Sequence, residues 1–452
     1  MIPAILFRLL LLVAPHVLDP QQQCLCVPST SGLASTFFGM TQTQTGGSHN
    51  PTVTPKVLRL WDTNVGGASA CQWVGIETSP GTYNFTNCDT FTDQANSIGA
   101  NWSMALGRTP SGDITTPANC NTGSFSSGCC QAPSDLNTTN AQLGNFITAV
   151  VNHWKTRYPG VTGNYLEGIN EADLTSNWCN AAGTANGTMA DLVTYTTKVK
   201  TTAQAIDPTI TMLCPSASTY NPSSTHLYGP PTGTSPTAGN GYLQQAGAAA
   251  SCDVINVHPY TICGTSASCP TPDAAPASMS QLASLLTSFG ITKSVIDSET
   301  DWGTDGANST MTDDQRVQWE SRFFIYAWNA GHIGVWWYQW DCASGVLSNC
   351  FGTFSGSGVG TSIATAYTTQ QGWMVGSQHV VNGCNQNADG HGTWACPITL
   401  SGNIPGELIF NSTGSQAFTV ASSFTTQFNL DGTNSAIVGH SVTAAGKPIL
   451  VR

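Results

Sequence analysis

Between residues 35 and 342, short β-prone apolar runs alternate with longer segments, several of which have the spacing of amphipathic helices. The runs are 35–41, 57–64, 101–109, 163–170, 210–216, 253–260, 293–299 and 334–341. Between them, 140–158, 189–205, 278–289 and 313–330 are expected to be helices. Asp313 and Asp314 place acid in a first turn, as a helix N-terminus prefers. Eight strands alternating with helices predict an α/β fold, a (β/α)8 TIM barrel. The alternative is an open doubly wound sheet, which usually carries a Gly-rich phosphate loop after an early strand. Neither G-x-G-x-x-G nor G-x-x-x-x-G-K-[ST] occurs.

After about residue 368 the pattern changes to short β-prone runs at 393–400, 406–410, 416–420, 425–430 and 448–451, separated by turn residues. The expected organisation is a barrel over 24–368 and a small, sandwich-like all-β domain over 369–452. Segments 109–133 and 220–241, rich in Pro, Gly and Ser, read as long loops following strands, on the rim where such barrels keep their active sites.

Residues 2–13 are apolar except for Arg8, long enough for a signal-peptide core and too short to span a bilayer. Residues 1–23 are therefore expected to be a leader, and the mature chain a secreted, extracellular monomer that does not enter the membrane. Sixteen cysteines, an even number without paired C-x-x-C spacing, point to disulfides rather than zinc. Local pairing is expected for Cys263 with Cys269, Cys342 with Cys350, and Cys384 with Cys396. Six glycosylation sequons, at Asn84, Asn101, Asn137, Asn186, Asn308 and Asn411, agree with eukaryotic secretion. Only 8% of residues are charged and the net charge is −12, so no basic patch is present to meet a nucleic acid.

In this acid-poor chain the six glutamates are Glu77, Glu167, Glu171, Glu299, Glu320 and Glu407. Glu171 ends the fourth expected strand and Glu299 the seventh, on the face where barrels keep their catalysts. Strands four and seven stand on opposite sides of an eight-stranded barrel, so the two side chains can reach a sugar from either side. Glycoside hydrolysis needs such a pair, one carboxyl protonated and one ionised. A single strand-end Glu is more often a solvated or ion-paired residue; two at these positions shift the balance toward catalysis. Glu77 reads as a loop residue, and Glu167 as facing the same interior or a neighbouring helix, neither taken for chemistry.

These features resemble clan A of the retaining glycosidases, and within it family 39 and its relatives. That clan has an Asn-Glu pair after strand four, matched by Asn170-Glu171, and a nucleophile ending strand seven, matched by Glu299. A strand-two Arg is matched by Arg59 in Leu58-Arg59-Leu60-Trp61-Asp62, and His-x-Tyr after strand six by His258-Pro259-Tyr260. Trp336-Trp337-Tyr338-Gln339-Trp340 supplies the strand-eight aromatics, and Trp73-Val74-Gly75-Ile76-Glu77 followed by Gly81-Thr82-Tyr83-Asn84-Phe85 resembles the loop after strand two. Where some relatives place a His after strand three, this chain has Leu106-Gly107-Arg108. The resemblance implies Glu171 as acid/base and Glu299 as nucleophile, working without cofactor or metal. Arg59 and Tyr260 would then attend the nucleophile, Asn170 the sugar 2-hydroxyl, and His258 a carboxylate or a hydroxyl. Trp61, sharing strand parity with Arg59, and Trp340 are the expected sugar-facing aromatics.

Three other functions compete: a non-catalytic carbohydrate-binding barrel, an esterase or protease, and a transglycosylase. The first usually loses a catalytic carboxylate, and both are present here. For the second, the sequence holds neither a G-x-S-x-G elbow nor H-E-x-x-H. The third uses the same two glutamates. With Arg59 and Arg108 as the rim arginines, the expected substrate is a neutral plant, fungal or microbial glycan rather than an acidic one.

Overall fold

The computed structural model describes residues 32–46, 49–65, 68–120, 128–218, 228, 241–260, 272–301, 312–340 and 361–452. The expected leader, the Cys263–Cys269 and Cys342–Cys350 pairs, and the Asn308 sequon lie outside them.

Each of the eight expected strands is present. They are β1 (Phe38–Thr41), β2 (Val57–Arg59), β3 (Asn101–Ala105), β4 (Tyr165–Glu167), β5 (Thr211–Leu213), β6 (Ile255–Val257), β7 (Val295–Thr300) and β8 (Val335–Trp337). They run parallel in the order β6-β7-β8-β1-β2-β3-β4-β5. Single parallel bridges, Leu213 to Val254 and Ala217 to Val257, join β5 to β6 and close the barrel. The Cys214–Cys252 disulfide staples this seam. Helices α1 (Thr86–Ser97), α2 (Ala141–Arg157), α3 (Met189–Ile206), the single turn α4 (Ala248–Ser251), α5 (Ala275–Ser288), α6 (Asp313–Asn329) and α7 (Ser362–Met374) alternate with the strands. The four sequence-expected helices are among them. At α6, Thr312 and Gln315 form a reciprocal capping box.

The bore is filled from its N-terminal end by Val57, Leu213, Val254, Ile296 and Trp336, with Tyr165 against Trp336. Gly39 faces that indole across the β1–β8 pair. A Cβ at this position would fall 2.1 Å from Trp336 Cδ1, so only glycine leaves room for the plug. Above this apolar layer the inward positions turn polar: Arg59, Glu167, Asn256 and His258 are all buried. A packed floor beneath a polar upper layer places the chemistry at the C-terminal ends of the strands.

Helix α7 spans residue 368, and the strand-rich region follows it. A six-stranded sheet has the order β9 (Gln378–His379), β10 (Thr393–Leu400), β11 (Ile404–Asn411), β16 (Ile449–Val451), β13 (Thr426–Asn429), β14 (Asn434–Ala436). A two-stranded sheet, β12 (Gln416–Thr419) with β15 (Ser441–Ala444), accompanies it, and a small core of Ile409, Val420, Val442 and Val451 is shared with the larger sheet. Tyr326 on α6 packs edge-on against Trp394 and Phe410, joining this region to the barrel.

Five disulfides are formed among the described residues: Cys71–Cys88, Cys120–Cys129, Cys130–Cys179, Cys214–Cys252 and Cys384–Cys396, the last as expected from local spacing. Of the sequons, Asn84 is exposed, whereas Asn411 is buried with its amide donating to His391 O and Thr393 Oγ1. No helix among the described residues is long and apolar enough to cross a membrane.

Candidate active site

Arg59 is the hub. It leaves the end of β2, fully buried, and donates through Nη1 to Glu299 Oε2. Its Nη2 donates to Glu167 Oε2 at 2.9 Å and to Asn170 Oδ1 at 2.6 Å, and lies 3.5 Å from His258 Nε2. Burial works against its charge, but Glu167 and Glu299 outweigh burial and hold the guanidinium protonated. Glu167, set aside for chemistry on sequence grounds, thus belongs to the foundation of the site. Its inward parity with Tyr165 on β4 was the available signal.

Glu299 sits near the end of β7, where the register against β8 shifts between Asp297 and Thr300. Strict alternation would send Ser298 and Glu299 to opposite faces. With the shift, Ser298 Oγ reaches His258 Nε2 at 3.0 Å while Glu299 meets Arg59. The Tyr260 hydroxyl donates to Glu299 Oε1. Burial pushes the Glu299 carboxyl above its ordinary range; His258, Arg59 and the Tyr260 hydrogen bond act against burial, and Glu171 adds to it. Arg59 therefore offsets burial only in part.

Glu171 follows β4 with a left-handed backbone, φ 43°. Its amide donates to Ser216 Oγ at 2.7 Å, and the next amide, of Ala172, to Ser216 O at 3.2 Å. Its Oε1 lies 3.1 Å from His258 Nδ1. Burial, then Asp173, raise its carboxyl to about 7, with Arg59 acting in the opposite sense. Buried His258 is shifted downward, first by desolvation, and so stays neutral near pH 7. Its amide donates to Ala217 O across the barrel seam.

One carboxylate oxygen each from Glu171 and Glu299 and a ring nitrogen of His258 lie within 4.8 Å of one another. These three groups could also share a metal ion, but Arg59 already supplies the positive charge at Glu299.

Six of the eight expected site residues thus form one connected cluster: Arg59, Asn170, Glu171, His258, Tyr260 and Glu299. Trp61 and Trp340 follow β2 and β8, and both are buried. The Trp340 amide donates to Thr41 O, and Trp61 lies so close to Gly107 that a Cβ there would be 2.9 Å from its Cζ3. Ser216 and Ser298 had no signal in the sequence, because each acts on a residue from another strand.

No protein-family model matches the sequence, and no curated protein matches it. Solved structures do. A family 39 glycoside hydrolase from the gut symbiont Bacteroides cellulosilyticus WH2 aligns over 93% of this chain and 82% of its own, at 13% identity and TM-score 0.61. A GH39 β-xylosidase from Caulobacter crescentus aligns over 93% and 97%, at 12% identity and TM-score 0.58. The catalytic domain of GH30 xylanase C from Talaromyces cellulolyticus aligns over 94% and 98%, at 13% identity and TM-score 0.57. At such identities the likeness establishes the fold: this chain has the barrel architecture of these structures.

Proposed function

We propose that the chain is a secreted retaining glycoside hydrolase, with Glu171 as acid/base and Glu299 as nucleophile, acting on a plant, fungal or microbial glycan. One observation carries this reading. Two glutamates from opposite sides of the barrel approach within 4.8 Å, close to the ~5–5.5 Å of retaining pairs and short of the ~6.5–9.5 Å that leaves room for water in inverting ones. Burial raises both carboxyls, but their partners differ. Glu299 receives hydrogen bonds from a guanidinium and a phenol, which favour its ionised form, whereas Asp173 and Glu167 reinforce burial at Glu171.

In the first step Glu171 gives its proton to the glycosidic oxygen while a Glu299 oxygen bonds to the anomeric carbon and the leaving alcohol departs. In the second, Glu171, now a carboxylate, takes a proton from water as that water displaces Glu299 and restores it. Asn170 Oδ1 is engaged by Arg59, so its amide NH2 is the group that can donate to a sugar hydroxyl. Tyr260 and His258 hold the two carboxylates, and Trp61 and Trp340, which follow β2 and β8, are the aromatics assigned to the sugar. Disulfide bonding, together with the apolar leader-like start, supports export to an oxidising compartment.

The test is a screen of neutral and acidic glycans with mass spectrometry of the products, followed by trapping with a 2-deoxy-2-fluoro glycoside of the preferred sugar. A glycosyl adduct on the peptide containing Glu299 is expected. An adduct elsewhere, or no glycan cleaved, would remove the proposal.

A further inference from the structure

Two acidic residues just beyond barrel strands have left-handed backbones: Glu171, φ 43°, a rare state for Glu, and Asp62, φ 55°, which Asp adopts more readily. The other non-glycine residues with positive φ among those described are four asparagines and His440. Such strain persists where the surrounding structure enforces it, and it gathers at functional sites. Glu171 already has a role in the proposed chemistry; Asp62 has none.

Asp62 lies three residues past β2, half-buried, and its Oδ2 accepts from the Tyr338 hydroxyl at 3.0 Å. Tyr338 follows β8, so the bond crosses the end of β1, the strand between them. Burial pushes the Asp62 carboxyl up, while the Tyr338 hydrogen bond and Arg59 act to keep it ionised; burial, then Asp62 and Glu299, hold the Tyr338 phenol protonated. The Tyr338 amide donates to Thr300 O, the residue after Glu299, and Asp62 lies three residues past Arg59, so the pair sits at the strand ends beside the Arg59–Glu299 contact.

Resting on the glycosidase reading above, we infer that Asp62 selects a neutral, hydroxyl-bearing sugar in the cleaved position. Its carboxylate, oriented by Tyr338, accepts from a sugar hydroxyl and repels the carboxylate of a uronic acid. Selection of this kind combines an attraction with a built-in repulsion.

The distribution of cations supports the exclusion of acidic sugars. Of thirteen Lys and Arg, Arg59 and Arg108 are the two that follow or end barrel strands on the catalytic face. Arg59 is committed to Glu299, Glu167 and Asn170. Arg108 is buried and donates to Asn177 Oδ1 at 3.2 Å, within electrostatic reach of Asp62. Residues 219–227, 229–240, 261–271, 302–311 and 341–360 contain no Lys or Arg, so these stretches have no guanidinium or ammonium to offer a uronate.

The experiment uses matched 4-nitrophenyl β-glycosides that differ at C6, glucoside with glucuronide and galactoside with galacturonide, plus the xyloside. Wild type should prefer a neutral probe over its acidic partner by more than ~100-fold in kcat/KM, the scale of a charge rejected at a half-buried site. Asp62→Asn keeps shape and the contact with Tyr338, and should narrow that ratio at least ~10-fold. Asp62→Ala should raise KM for the neutral probe more than it lowers kcat. Should Asp62→Ala fail to fold, Asp62→Asn decides. A wild type that prefers a uronide or opens no neutral probe, or variants with unchanged ratio and KM, would overturn the inference. Glu299→Ala in the same panel separates the two levels. If it is inactive while the Asp62 variants match wild type, only this inference falls; if it stays active, the glycosidase reading falls as well.

Discussion

The Nδ1 nitrogen of His258 lies 3.1 Å from the Oε1 oxygen of Glu171, and with the imidazole neutral, one proton serves both groups. When Glu171 is protonated it donates to Nδ1; when it is ionised, Nδ1–H donates to it. Ser298, at Nε2, can accept or donate to match either tautomer. The acid step needs the protonated form, so kcat/KM should fall as pH rises through about 7. Asp173 helps hold Glu171 there, and Asp173→Asn should move the alkaline limb to lower pH. A pH–rate profile on a glycoside with a basic leaving group, which needs the acid, checks both, and an unmoved limb would count against this source of the shift.

The same shift has a stability side. Glu171 binds its proton more tightly in the folded chain than in the unfolded one, where it titrates near its ordinary ~4.3. Its contribution is fully present below that value and is lost as pH rises through about 7. The loss is about 3–4 kcal/mol across this window. Glu171→Gln has no such proton to lose, so the melting temperature of the variant should gain on wild type between pH 5 and pH 8. Parallel melting curves would contradict it.

The two glutamates should separate by chemical rescue. Glu299→Ala cannot form a glycosyl-enzyme, and azide should give an inverted glycosyl azide. Glu171→Ala should still react with aryl glycosides of acidic phenols, lose more activity as the leaving group becomes more basic, and give the retained azide product. The opposite product configurations would exchange the two assignments.

Arg59 is expected to be the least replaceable residue of the cluster. Removing it leaves Glu167 and Glu299 buried without their common cation, which typically costs ~3–5 kcal/mol. Arg59→Ala should therefore lower stability and activity together, while Glu167→Gln, which keeps a hydrogen-bond acceptor for Nη2, should be far milder. Thermal melts alongside kcat would show it, and equal effects from the two changes would not fit.

The disulfides should differ in what their loss does. Removing Cys214–Cys252, which closes 38 residues, should cost about 4 kcal/mol, and Cys384–Cys396, closing 12, about 3. Only the former should also lower kcat, because Ser216 and Ala217 lie beside Cys214 and hold the backbones of Glu171 and His258. Double Cys→Ala variants compared by melting and turnover test this; equal kcat in both would refute the link.

The strands were legible because each is a short β-prone run bounded by turn residues, and Glu171 and Glu299 stood out as strand-end acids in a chain with six glutamates. The facing of individual side chains was less so. The shift at β7 breaks the alternation from which the direction of Glu299 would be read, and no periodicity told that Trp340 would be buried. Contacts such as Asp62 with Tyr338 or Glu167 with Arg59 join positions 276 and 108 residues apart, which only the closed barrel brings together. Cysteine pairing divides the same way: Cys384–Cys396 is local, whereas Cys130–Cys179 connects different βα units.

The stapled seam fixes both ends of a 38-residue excursion. Everything the chain carries between Cys214 and Cys252 starts and ends at two bonded points, and the groups that steady Glu171 and His258 sit at its very start. Insertions, deletions or new sequence farther along that excursion leave the separation of its ends unchanged and add little closure entropy. The backbones of Glu171 and His258 are therefore held in register by a covalent link between two strand ends, whatever the rest of the excursion contributes.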